Sequence, residues 1–182
     1  MAQLPSESTG RFLLNGELTI DELLLTIAEI AAAFTGFAGV VSVFGGSRLD
    51  PRVQVWRIRS MIAAGLLTTF GALTPLAISQ FELPLAASWR VSAAMLGFAV
   101  FLQFAFAAHG SRPLLKRNLI ASKRFEWFLA GVSASACVAL GLLSLGFFGE
   151  SIQAIYSLGL LYLLALSAHH FFLLVLAAQP RK

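Results

Sequence analysis

The sequence predicts an all-α integral membrane protein, a bundle of five transmembrane helices. Two observations carry this. Of 182 residues, 58% are hydrophobic and only 12% are charged, about half the charged fraction of a soluble domain. The apolar residues also gather into runs of 18 or more, long enough to cross a hydrocarbon core of roughly 30 Å. Spans and short connectors use most of the chain. The expected organisation is a polar tail over 1–19, one helical membrane domain over 20–178 and a short basic end over 179–182.

The first helix is expected over 20–44. Thr19 and Glu22 form a capping box, so it begins at Ile20, and Gly45–Gly46 stops it. At 1.5 Å per residue it is about 37 Å long. The second is expected over 51–79, with Asp50 as N-cap and Pro51 at N1. Arg52, Trp56, Arg57 and Arg59 give its first turns an interfacial composition. Pro75 disrupts it near Gly71 and Thr74. The third helix is expected over 89–109, capped by Ser88, with Trp89 and Arg90 at the interface and Gly110 as its stop. A basic connector, 111–121, follows. The fourth is expected over 122–148, with Ser122 as cap and Gly149 as stop, and the fifth over 152–178, ended by Gln179–Pro180. The tight 149–151 link makes the last two helices an antiparallel hairpin.

With five spans the loops alternate sides. Arg48, Arg52, Arg57, Arg59, Arg112, Lys116, Arg117, Lys123, Arg124, Arg181 and Lys182 then share one side, and only Arg11 and Arg90 lie on the other. By the positive-inside rule the basic side is cytoplasmic and the N-terminus lies outside. The net charge of +4 is therefore an orientation signal, and no aromatic–basic platform for nucleic acid accompanies it. The acidic tail (Glu7, Glu17, Asp21, Glu22) is unlike the basic opening of a signal peptide. Cys137 is the single cysteine, which excludes an internal disulfide and a cysteine metal cluster.

Few polar residues interrupt the spans. Glu29 lies roughly 12 Å along the first helix. A bare carboxylate there is costly, so Glu29 is expected to be protonated, hydrogen-bonded or turned toward the bundle interior. Ala32, Ala33 and Gly36 share its face, and small residues let a second helix approach closely. A second group lies nearer the basic side: Gln103 and His109 on the third helix, Glu126 on the fourth, His169 and His170 on the fifth. Two histidines on different helices can ligate haem iron, but His109 and His170 differ in depth, and the adjacent His169 and His170 point about 100° apart. No cofactor is expected as the main reading. Tyr162, seven residues before His169, fits a polar seam on that helix. On the fourth helix Gly131, Ser135 and Ala139 repeat at four-residue spacing, a small-residue row for internal packing or for a seam between copies.

The stretch AEIAAAFTGFAGVVSVFG followed by WRIRSM resembles small uncharacterised bacterial inner-membrane proteins, in which a first helix of AE-small-small-FxGFAG type precedes an Arg-rich second helix. The resemblance covers the first two helices. It implies a bacterial inner membrane and transfers no site.

No Lys lies within the apolar part of a span, which excludes a retinal Schiff base, and there is no HExxH, P-loop or Cys-x-x-Cys. Tiny loops and small-residue faces therefore point to a non-enzymatic accessory subunit that binds another membrane protein or itself. The rival is a small transporter or channel using Glu29 with Gln103 and the histidines. A haem- or quinone-handling subunit is the third reading. The topology predicts that a C-terminal fluorescent-protein fusion glows and a C-terminal phosphatase fusion is inactive; a dark, phosphatase-active pair overturns it.

Overall fold

The protein was analysed as a computed structural model that describes residues 19–44, 50–81, 83–116, 123–147 and 149–178. Helices α1 (Ile20–Phe44), α2 (Pro51–Ser79), α3 (Leu85–Lys116), α4 (Lys123–Ser144) and α5 (Ile152–Ala178) follow in order, with a short 3-10 turn at Gly149–Ser151 before α5. All five contain a stretch long and apolar enough to cross a membrane. The expected stops at Gly45–Gly46 and Gln179–Pro180, the Ser122 cap and the tail over 1–18 lie outside the described residues.

The helix starts follow from local chemistry. The Thr19 N–H donates to Glu22 Oε2 at 2.9 Å, and the Glu22 N–H donates to Thr19 Oγ1 at 3.3 Å, which closes the capping box. The Asp50 carboxylate accepts from the Arg52 N–H at 2.8 Å ahead of Pro51 at N1.

Three boundaries differ from expectation. α3 starts at Leu85 because the Pro84 carbonyl accepts from the N–H groups of Ala87 and Ser88; Ser88 lies inside the helix. α3 also runs past Gly110 to Lys116, so half of the expected basic connector is helical. Gly110 is a packing residue here: a Cβ on it would lie 3.2 Å from Trp56 Cδ1. α4 stops at Ser144, before Phe148. Gly146 adopts φ +88°, the Phe147 N–H donates to the Leu142 carbonyl and the Gly146 N–H to the Leu143 carbonyl, a Schellman ending. Arg90 packs its guanidinium at this end, where a cation suits the helix dipole.

α2, α3, α4 and α5 form a ring, each packed on the next, with α5 closing back on α2. α1 lies outside the ring and touches only α2 and α5 among the described helices. The main core fills the half of the bundle at the start of α1: Leu24 and Ile27 from α1, Ala72 from α2, Trp89 and Leu96 from α3, Leu140 and Leu143 from α4, Tyr156 and Leu160 from α5. Trp89 is thus a core residue rather than an interfacial one. Its ring meets Tyr156 edge-on with centroids 5.5 Å apart.

One hydrogen bond sits at the centre of this core. Pro75 has no N–H, so the Gly71 carbonyl four residues earlier has no helical partner. The Tyr156 hydroxyl of α5, fully buried, donates to that carbonyl at 2.6 Å. Gly71 also has no room for a side chain, because a Cβ would come within 2.8 Å of Leu160 and 2.9 Å of Leu96. Further along, the Ser167 hydroxyl donates to the Met61 carbonyl at 3.2 Å, and Gly65 sits against Thr35 and the Ala31 carbonyl of α1. Thr74 instead bonds within its own helix, to the Phe70 carbonyl at 2.7 Å. In mixed-micelle unfolding, Tyr156→Phe is expected to lower stability by about 1 kcal/mol and Gly71→Leu by more, with Thr74→Ala near neutral. Equal stability of all three variants contradicts the role given to Tyr156.

Candidate functional site

The polar residues of the spans fall into two separate places. The first is the outer face of α1. Leu24, Ile27, Ala28, Ala31 and Ala38 are buried, a stripe that turns toward α2 and α5. Glu29, Ala32, Ala33 and Gly36 are therefore on the opposite side, and all four are exposed. Of the three expectations for Glu29, this removes the turn toward the bundle interior. The inward stripe is set by Ala31 and Thr35 meeting Gly65, where α1 and α2 touch most closely. Glu29 makes no hydrogen bond or ion pair with another described residue. A side chain added at Gly36 would meet nothing within 4 Å.

The same reversal holds on α4. Gly131 and Ser135 are exposed, Ala139 is half-buried, and a Cβ at Gly131 meets nothing. Within this chain the row Gly131, Ser135, Ala139 does not join helices. The neighbouring row does: Ser133 lies 2.6 Å from the Tyr162 hydroxyl, and Cys137 packs at the edge of the core. The close approach of α3 to α4 is made by Gly97, where a Cβ would lie 3.2 Å from that of Leu140.

The second place is a cavity of about 510 Å³ inside the ring, at its basic end. It exists because small residues (Ser60, Ala107, Ala108, Ser111, Ala130, Ser133) face one another there, where the other half of the ring carries large ones. Gln103 and His170 both line it, with Trp56 and Tyr162. Trp56 and His170 meet edge-on, centroids 5.6 Å apart. The polar seam of α5 therefore runs from Tyr162 to His170, one residue on from the expected His169. His169 is half-buried, its ring centroid 5.7 Å from that of His170. His109 is exposed and does not line the cavity. A haem held between His109 and either histidine of α5 does not fit this arrangement, and no cluster of three or more His, Cys, Asp or Glu suited to a metal forms among the described residues. The Glu126 side chain lies outside the described part.

The structure thus places Gln103 and His170 in one cavity wall and separates both from Glu29, which is exposed on the outer face of α1, a helix that gives the cavity no residue. Two further residues matter that the sequence did not single out. Tyr156 carried a readable signal: it is a phenol in the apolar start of its helix, at the depth where Pro75 frees a carbonyl. The buried N–H of the half-buried Trp56 did not, because that indole packs on Gly110 and on the stretch of α3 that continues past it. No protein-family model matches the chain, and no curated protein or solved structure matches it either. The chain is a multi-pass helical membrane protein, and its function is read from these two places alone. Gly131→Leu is expected to leave thermal stability in detergent unchanged, whereas Gly97→Leu lowers it sharply; the reverse order contradicts the placement of α4.

Proposed function

We propose that the protein is a non-enzymatic membrane subunit, resident in a bacterial inner membrane, that self-associates through the outer face of α1. One observation carries the reading: an unpartnered carboxyl, Glu29, exposed on a helix face otherwise made of Ala32, Ala33 and Gly36. An ionisable group facing acyl chains costs several kcal/mol. Small residues beside it allow another helix to approach closely enough to cover it.

A second copy is the occupant that the chemistry selects. A neutral carboxyl has one O–H donor and one carbonyl acceptor, so it is complementary to itself. A two-fold interface brings each residue near the axis against its own copy. Glu29 meeting Glu29 then satisfies both groups without any other polar residue on the face. A transport route that uses Glu29 together with Gln103 and the histidines draws no support from their placement on opposite sides of α2 and α5.

Native mass spectrometry of gently extracted protein tests the reading. The expected species is a dimer of the 19.5 kDa chain. Gly36→Ile and Glu29→Leu weaken it by roughly tenfold or more, a change of about 1.4 kcal/mol, while Glu29→Gln, which keeps a donor and an acceptor, retains it. A strict monomer, or a dimer indifferent to Gly36→Ile and Glu29→Leu, overturns the proposal, as does a complex with one foreign chain only.

A further inference from the structure

The cavity at the basic end takes no residue from α1 and so stands apart from the association face. Its wall is mainly apolar, with Val100, Phe104, Leu163 and Leu166 among its residues. Three polar atoms break that wall. Trp56 Nε1, Gln103 Oε1 and His170 Nδ1 are buried and have no hydrogen-bond partner among the described residues. His170 is only 5% exposed. Buried polar atoms are normally paired, and leaving one unpaired forfeits its hydration. The three residues that carry these atoms line one space, and its volume lies within the range of small-molecule sites, roughly 300–1,000 Å³.

We infer that this cavity binds a neutral, lipid-soluble molecule with a hydroxyl-bearing polar end: a long-chain alcohol, a phenol or a quinol. The donor set dictates the class. An indole N–H only donates, an amide oxygen only accepts, and an imidazole nitrogen does either. The ligand must therefore accept from Trp56 and donate to Gln103. A hydroxyl does both, whereas a ketone or ester only accepts and an ammonium only donates. Neutrality follows because Trp56 and Gln103 are uncharged dipoles, and the formal charge on the wall, Arg112, sits on an exposed residue. Entry is from the bilayer, between α4 and α5. These two helices pack on each other much less than α4 packs on α3, and Trp127, 75% exposed, stands at the rim.

The probe is an ortho-bromo para-octylphenol, added in mildly acidic buffer to the protein in lipid nanodiscs. Bromine quenches tryptophan fluorescence on contact. A saturable quenching component is expected that Trp56→Phe removes, while quenching of Trp127 at the rim persists. The methyl ether of the same phenol, which has lost its donor, is expected to bind at least tenfold more weakly. Gln103→Leu is expected to abolish that difference, and the phenol–ether comparison on the unaltered chain holds even if this variant fails to fold. Quenching that rises linearly and equally for phenol and ether, as for a water-filled cavity with a probe dissolved only in the bilayer, overturns the inference. Tighter binding of dibromostearate than of the phenol, lost in Arg112→Gln, also overturns it by assigning the cavity to anionic lipids.

Discussion

In a bilayer every backbone polar group must find its partner inside the protein, and Pro75 leaves the Gly71 carbonyl without one. The Tyr156 hydroxyl supplies it across α2 and α5. That bond needs the two helices close together, which Gly71 permits by having no side chain. Leu96 and Leu160 then close over the same point from α3 and α5. A single helix-breaking residue thus fixes where three helices meet. Large residues from all five helices pack together around that depth.

At the basic end small residues face one another across the ring, while larger ones such as Met61 and Leu174 pack outside the cavity. The ring stays open there as a cavity lined by Trp56, Gln103 and His170, each with a buried polar atom that has no partner among the described residues. α1 adds to the core at the first end but belongs to no part of the cavity. Its narrow buried stripe covers the groove of α2 and α5 and leaves a second, small-residue face outward. The two proposals therefore use different halves of the architecture: one needs a partner for Glu29 outside the ring, the other an occupant within it.

Local chemistry made much of the fold legible in the sequence. Capping at Thr19–Glu22 and Asp50–Pro51, apolar length and loop charge were enough to place five spans. What periodicity lacks is a sign. The rows Glu29–Ala32–Gly36 and Gly131–Ser135–Ala139 have the correct spacing for a contact face, yet spacing is the same whether a face looks in or out. The glycines that do join helices, Gly65, Gly71 and Gly97, stand without a repeating row. Gly110 reads as a stop because a glycine that ends a helix and one that admits an indole are identical in sequence. For the candidate site, Gln103 and His170 were found by being polar in apolar runs. Their meeting with Trp56 depended on how α2 and α5 pack, which the ring contact of Trp56 with His170 shows, and His109 was separated from them by its outward position.

The central claim is that the outer face of α1 is covered by a second copy. Cysteine cross-linking in native membranes tests it most directly, in a Cys137→Ser background. A disulfide requires Cα atoms within about 7 Å. Ala32→Cys and Gly36→Cys are predicted to give a covalent dimer on mild oxidation, while Ala28→Cys and Ala31→Cys, buried against α2 and α5, give none. No dimer at either outward position, or equal dimer at all four, would contradict the account.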